Sequence, residues 1–247
     1  MSQAGISLMA MSAPMVAFAG YSTKVSMDFE QGMAQVSAIS GATGKDLEKL
    51  SNKAKELGAT TSKSATESAK AMEYQALAGW NVQQILEGTE PILRLSEATN
   101  LDLARASDLT TDSMSAMGIE TKNLGRYLDI VAQAQRSSNT TAGDLMEAYI
   151  GVGGTLKNLN VPLEESSAWL GVLANRGIKG SEAGNALSSI LINLTSGLGQ
   201  AGTAMQELGI NAYDSEGKFK GIEVVLKELD TALANCSEEQ RDMYLAM

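Results

Sequence analysis

A chain of 247 residues with 44% hydrophobic side chains can bury a substantial core, carried by Ala, Leu, Ile, Val and 13 Met with only 4% aromatics, a texture of helix packing rather than sheet. There is no His, so there is no imidazole base, no Ser/His pair and none of the commonest metal ligand. A single cysteine, Cys236, excludes an internal disulfide and a thiolate cage, and a net charge of −10 argues against a basic groove for nucleic acid.

The first 23 residues carry no charged side chain. No basic stretch precedes Gly5 to Tyr21, and Gly, Ser and Pro dilute it, so it reads less well as a signal peptide or membrane span than as a buried helix. Pro14 suits the first turn of that helix, and Met15, Phe18, Val25, Phe29, Met33 and Val36 recur on one face until Gly41. Leu47, Leu50, Ala54 and Leu57 trace a second helix, expected to end at Gly58.

Ser64 with Glu67 spells a capping box for a third helix with Ala69, Met72 and Ala76 inward and Gly79 beyond its end. Asn81 with Gln84 repeats the device. Because Pro91 lacks an N–H and crowds the preceding turn, the run from Val82 is expected to break near Gly88 and restart with Thr89 as cap. Leu103, Ala106, Thr110, Met114 and Met117 give the next stripe, closed by Gly118; Leu124, Leu128 and Val131 give another, to about Arg136.

Thr141 with Asp144 opens a helix whose face is Leu145, Tyr149, Val152 and Leu156, weakened by Gly151, Gly153 and Gly154. Pro162 stands at a helix start, and Leu163, Leu170 and Leu173 lead to Gly177. Ser181 is expected to cap the next helix, with Leu187, Leu191 and Leu194 inward. A short helix around Met205 and Leu208 ends at Gly209. Ile210 to Lys220 is the only extended piece, with Asp214, Ser215, Glu216 and Gly217 turning a small hairpin. Ile222, Val225 and Leu229 begin another helix, and Ser237 with Gln240 caps one that stops after about two turns, as a fragment of a longer chain would. The expected fold is therefore all-α, a bundle of about ten to twelve short helices with one hairpin or extended loop near 210–220.

An internal echo is also legible: Asn81-Val82 and Asn160-Val161 each follow a capped helix and precede a shorter helix, a polar turn and a longer helix, as a duplication would.

Four patterns invite a chemical reading, and each has a plainer one. Gly197-Leu198-Gly199-Gln200-Ala201-Gly202 matches GxGxxG, with Glu223 at a suggestive distance. A dinucleotide site needs a strand before those glycines, and Ser181 to Ser196 is spaced as a helix. Asp214, Glu216, Gly217 and Glu223 fall on positions three, five, six and twelve of a calcium loop, but position one is Ala212. Gly151-Val152-Gly153-Gly154 has no following Gly-Lys-Ser/Thr to cradle phosphate. The pairs Glu164-Glu165 and Glu238-Glu239 sit in first turns, where negative charge complements the helix dipole. Trp80 and Trp169 read as core or interface anchors, and Cys236 as a small buried residue. No residue is assigned a catalytic, cofactor-binding or metal-binding role.

Several segments in order resemble the core region of tail tape measure proteins of long-tailed phages and prophages. They are Asp28-Phe29-Glu30 with Met33 and Val36, the run Ser37 to Gly44, Glu56-Leu57-Gly58 with Thr60-Thr61, and Ala76-Leu77-Ala78-Gly79-Trp80. The most specific is Leu173 to Leu187, containing Asn175-Arg176-Gly177-Ile178-Lys179-Gly180-Ser181-Glu182-Ala183-Gly184; Glu207-Leu208-Gly209-Ile210, Tyr213-Asp214 and Gly217 follow in the family's order. One departure is Asn185, where the family pattern tends to have threonine; the other is the end at Met247, before the pattern normally continues.

The resemblance implies a non-enzymatic structural protein of the virion, largely helical, which occupies the tail lumen, sets tail length, scaffolds tube assembly and leaves during genome delivery. It implies no cofactor. Its implied partners are the tail tube protein, tail assembly chaperones, baseplate or tail tip proteins and further copies of itself, with no sequence-specific nucleic acid binding and with membrane contact during ejection open. It also implies residence in the host cytoplasm during assembly. Residues 1–27 would be an upstream helix and 28–247 the core region, truncated at its C-terminal end. The continuous heptads of a pure ruler segment are absent, so the cap-rich pattern reads as a folded module. Two alternatives stay open: a helical protein-interaction module unrelated to tails, and a membrane-active segment using residues 4–21.

Overall fold

The computed structural model describes residues 24–247, so Pro14, Met15, Phe18 and the membrane reading of residues 4–21 lie outside the described residues. The fold is all-α, with one isolated antiparallel bridge between Tyr213 and Phe219 as its only sheet-like pairing among the described residues. The chain divides into two compact units, Met1–Thr111 and Asp112–Met247.

The first unit holds α1 (24–40), α2 (Gly44–Thr60), α3 (Ala65–Leu77), α4 (Val82–Thr99) and the start of α5 (Leu103–Met117). Phe29, Met33 and Val36 of α1, Leu50 and Ala54 of α2, Ala69, Met72 and Ala76 of α3 and Ile85 of α4 form one buried cluster. Its larger side chains each contribute about 1.5–3 kcal/mol of transfer free energy. The predicted capping boxes are present: Ser64 Oγ accepts from Glu67 N while Glu67 accepts from Ser64 N, and Asn81 and Gln84 do the same at α4.

Two expectations in this unit are corrected. Gly58 does not end α2, which runs on to Thr60. A Cβ at Gly58 would lie 2.5 Å from the Ala65 backbone nitrogen, so the glycine allows the start of α3 to press against α2. Nor does the chain break before Pro91, which sits inside a continuous 18-residue α4. A proline's fixed φ is helical, so its cost is one lost bond and some crowding. Burial of Gly88, Thr89, Ile92, Leu93, Leu95 and Ser96 on both sides of it outweighs that cost. Thr89, expected as a cap, is buried mid-helix and shares its one hydroxyl hydrogen between Ile85 O (2.7 Å) and Gln75 Oε1 (2.9 Å). Gly88 lies under Trp80, where a Cβ would meet the ring at 2.3 Å.

The second unit takes in the rest of α5, a 3-10 turn (Thr121–Asn123), α6 (Leu124–Ser137), α7 (Ala142–Leu159), α8 (Leu163–Asn175), α9 (Gly180–Thr195), α10 (Gly199–Glu207), α11 (Ile222–Ala234) and α12 (Glu238–Leu245). The predicted inner face of α7, Leu145, Tyr149, Val152 and Leu156, is buried. Along its other flank Glu147 stands beside Gly180, Ala148 against Gly184, Gly151 beside Asn185, and Thr155 is hydrogen-bonded to Ser188 (3.0 Å). Residue numbers rise together in those pairs, so α7 and α9 run parallel.

The approach is close because Gly184 has no side chain: a Cβ there would lie 2.3 Å from Ala148 O. Gly151, Gly153 and Gly154 do not interrupt α7, and Gly153 instead seats it against Ala116 and Met117 of α5.

Ser181 does not cap α9. Lys179 occupies the cap position without a side-chain bond, and Gly180, at φ +58, turns the chain into the helix one residue earlier. The echo between Asn81 and Asn160 also fails in detail. Asn81 caps the start of α4 at φ −75, whereas Asn160 ends α7 at φ +52, and the 18 residues of α4 exceed the 15 of α5 that follows. Beyond α9, Met205, Ile210, Ala212 and Val225 form a small core of their own, on which Tyr213 and Phe219 pack edge to face at 6.4 Å.

Candidate functional site

Most of the patterns that invited a chemical reading have structural explanations. The glycines of Gly197 to Gly202 join α9 to α10, with a helix and not a strand before them. A Cβ at Gly202 would stand 2.2 Å from the Gly197 carbonyl carbon, so this spacing closes a tight helix-to-helix connection. At the hairpin, Asp214 turns its carboxylate inward and accepts from Glu216 N (2.8 Å) and Lys218 N (2.9 Å). The bond from Lys218 N is the main cause holding its pKa below the ordinary carboxylate range. Its Oδ1 is thus engaged by the turn itself, and among the described residues no three acidic, Cys or His groups gather as a metal would require.

The paired carboxylates diverge. Glu165 accepts from Ile222 N (2.8 Å), fastening the start of α11, whereas Glu164 accepts from Arg126 Nη2 (2.6 Å) and Nε (3.1 Å). The hydrogen bond from Arg126 holds the Glu164 carboxyl below its usual range. Both partners of that bridge are largely exposed, so it is worth well under about 1 kcal/mol.

The buried tyrosines are equally structural. Tyr127 and Tyr149 meet edge to face at 6.1 Å; the Tyr127 hydroxyl bonds Ser113 (2.6 Å), and Tyr149 donates to Leu163 O (3.3 Å). Burial pushes Tyr127 far up and Tyr149 up to about 12, so both stay protonated across the ordinary pH range. Trp80 and Trp169 are half-buried anchors, and Cys236, half-buried just past the end of α11, donates weakly to Ala232 O.

A shallow groove of about 400 Å³ runs between α6 and α8, lined by Ala134, Ser138, Ser167 and Gly171. Gly171 lets the two helices approach, since a Cβ there would meet Ser138 at 3.1 Å. Ile130, Ala168 and the half-exposed Val172 make one wall apolar, and Glu164 and Asn175 stand at its ends. It offers shape and a few hydrogen-bonding groups, of which the Ser137 and Ser138 hydroxyls are turned back onto α6 carbonyls and Glu164 is held by Arg126. No helix among the described residues is long and apolar enough to cross a membrane.

Sequence reasoning had no means of finding this groove, because Ala, Ser and Gly at helical spacing look alike in a core and on a surface.

The family profile described as Phage-related minor tail protein matches residues 51–247. A tape measure protein of Pneumococcus phage Dp-1 is 34% identical over 236 residues, 96% of this chain and 20% of that protein. A probable tape measure protein of Escherichia phage P2 is 26% identical over 207 residues, 83% of this chain and 25% of its own length. The chain thus spans between a fifth and a quarter of these relatives. No solved structure matches it. With four-fifths of its residues under the family profile and nearly all of them aligned to the Dp-1 protein, the chain belongs to the phage tail tape measure family.

Proposed function

We propose that residues 28–247 are the folded core module of a tape measure protein that sets tail length and scaffolds assembly of the tail tube. The observation that carries this reading is the alignment to the Dp-1 tape measure protein over 96% of the chain. The fold supports it: helices, caps and shallow surfaces suit contact with other proteins, and the groups that invited chemistry are committed to turns and helix ends. The module works without catalysis, nucleotide or metal. Its partners are tail tube subunits, assembly chaperones, baseplate or tail tip proteins and further copies of itself, met in the host cytoplasm during assembly and in the tail lumen afterwards.

Shortening the full-length protein and measuring tails by electron microscopy tests the ruler role. Tail length is expected to fall in proportion to the residues removed, and tails of unchanged length would overturn it. Titrating nucleotides and calcium while following thermal stability tests the absence of ligands, because anything bound tightly to the native state must raise its apparent stability.

A further inference from the structure

We infer that the first unit contains a built-in opening seam, where α3 meets α4 and α5. One face of α3 is apolar: Ala69, Met72 and Ala76 join the cluster with α1, α2 and Ile85 of α4. Beside that face α3 makes polar contacts that are fully buried. Gln75 accepts the Thr89 hydroxyl of α4 (2.9 Å), and Ser107 of α5 donates to Ala71 O (2.8 Å). Two buried atoms on α3 have no hydrogen-bond partner, Gln75 Nε2 and Ser68 Oγ. Residues 68 and 75 are seven apart, two turns along one face of the helix.

An unpaired buried amide or hydroxyl pays its desolvation cost in the closed state and recovers it as soon as water enters. Opening the seam also takes from α4 its support by α3, and α4 is the helix with Pro91 at its centre. Three independent features, the unpaired amide, the unpaired hydroxyl and the central proline, therefore lower the free energy needed to separate α4 and α5 from α3. The opposite arrangement holds at the α7 and α9 pair, whose backbones touch at Gly184 and Ala148 and whose facing hydroxyls, Thr155 and Ser188, satisfy each other. The opened seam presents Ile92 and Leu93, fully buried when closed, to solvent or to another chain.

Residue-resolved hydrogen exchange on the whole chain tests this directly. Amides of α3 and α4 are expected to exchange through a shared opening at least about a hundredfold faster than the core amides of α7 and α9. Gln75→Leu removes the unpaired amide at nearly constant volume while the Thr89 hydroxyl keeps Ile85 O (2.7 Å). It should slow exchange in α3 and α4 by roughly tenfold and leave α7 and α9 unchanged. Pro91→Ala, which restores the helix bond, should slow the same amides independently. Equal protection in the two regions would overturn the inference. So would a Gln75→Leu chain that exchanges at the original rate or faster, with Pro91→Ala also without effect.

Discussion

The contact between Gly184 and Ala148 yields the sharpest test of how the second unit is built. A Cβ at residue 184 would lie 2.3 Å from Ala148 O, 2.9 Å from its Cα and 3.0 Å from its carbonyl carbon, all backbone atoms that cannot swing aside. Reaching ordinary contact, which begins near 3.4 Å, requires α9 to retreat from α7 by about 1 Å. A gap of that size forfeits roughly a quarter to a half of the dispersion energy of the atoms it separates. Overpacking of this kind costs about 1–3 kcal/mol, and about 1 kcal/mol comes back because Ala is the better helix former. The expected net for Gly184→Ala is about 2 kcal/mol of destabilisation, the upper part of that range, since no rotamer change relieves the clash. Gly154→Ala is the control. It sits in the same helix pair with nothing within 4 Å of the added Cβ, so it should stabilise by about 0.5–1 kcal/mol. The chain has two tryptophans, so a Trp80→Phe background leaves Trp169 to report urea unfolding of the second unit alone. A Gly184→Ala protein as stable as its parent, or a Gly154→Ala protein that loses stability, would refute the parallel, backbone-close packing of α7 on α9.

Thr141→Ala removes the oxygen that accepts from Asp144 N (3.0 Å) at the start of α7, and should cost about 1 kcal/mol in the same unfolding measurement. Glu90→Gln tests the bridge that ties α4 to α2, in which Glu90 accepts from Lys53 (2.9 Å) and Arg94 (2.7 Å). Hydrogen bonds from Lys53 and then Arg94 lower the Glu90 pKa from 4.5, so its contribution is present above pH 4.5 and is lost as pH falls through the depressed value. The hydrogen bond to Glu90 raises Lys53 from 10.5, so its share is full below pH 10.5 and is lost as pH rises past the raised value. Parent and variant should therefore differ by about 0.5–1 kcal/mol on a plateau between those limits, after allowance for solvent screening, and converge at both ends. A difference that grows towards either extreme of pH would contradict this assignment.

What the sequence made legible was whatever depends on neighbours in the chain. The boxes at Ser64 and Glu67, Asn81 and Gln84, Thr141 and Asp144, and Ser237 and Gln240 all form as their spelling predicts, because cap and partner lie within one turn. The left-handed stops at Gly79, Gly118, Gly177 and Gly209 are local in the same way. The misreadings fall where a distant surface decides. Gly58 and Gly184 look like any helix-ending or flexible glycine, but their role is set by Ala65 and Ala148 pressing against them. Pro91 signals a break by its own chemistry, and only the burial of Ile92 and Leu93 beyond it keeps α4 intact. The groove between α6 and α8 was invisible for a related reason, since Gly171 and Ser138 are unremarkable until brought face to face. The family was legible only from the ordered set of segments.

The lengths of the helices bear on how such a chain takes part in measuring a tail. Written as one uninterrupted helix, 247 residues would reach about 370 Å. Among the described residues, however, the longest helices, α4 and α7, have 18 residues each and span about 27 Å. A chain folded back at Gly79, Gly118, Gly177 and Gly209 converts few of its residues into reach. If length is read from residue number, as the proposed function has it, these folded residues supply little of it, and the chain spans only 20% of its Dp-1 relative. On the proposed reading, a folded region of this kind would serve a ruler as an attachment, and the two units are held in different ways. The second unit is fastened by backbone contact at Gly184, which no rotamer change loosens, while the first is closed over an unpaired amide and a proline-bearing helix. Deleting the α7 to α9 region should then prevent tails from forming, whereas deletions elsewhere in the full protein should shorten them, and short but complete tails from the α7 to α9 deletion would show that this module measures rather than anchors.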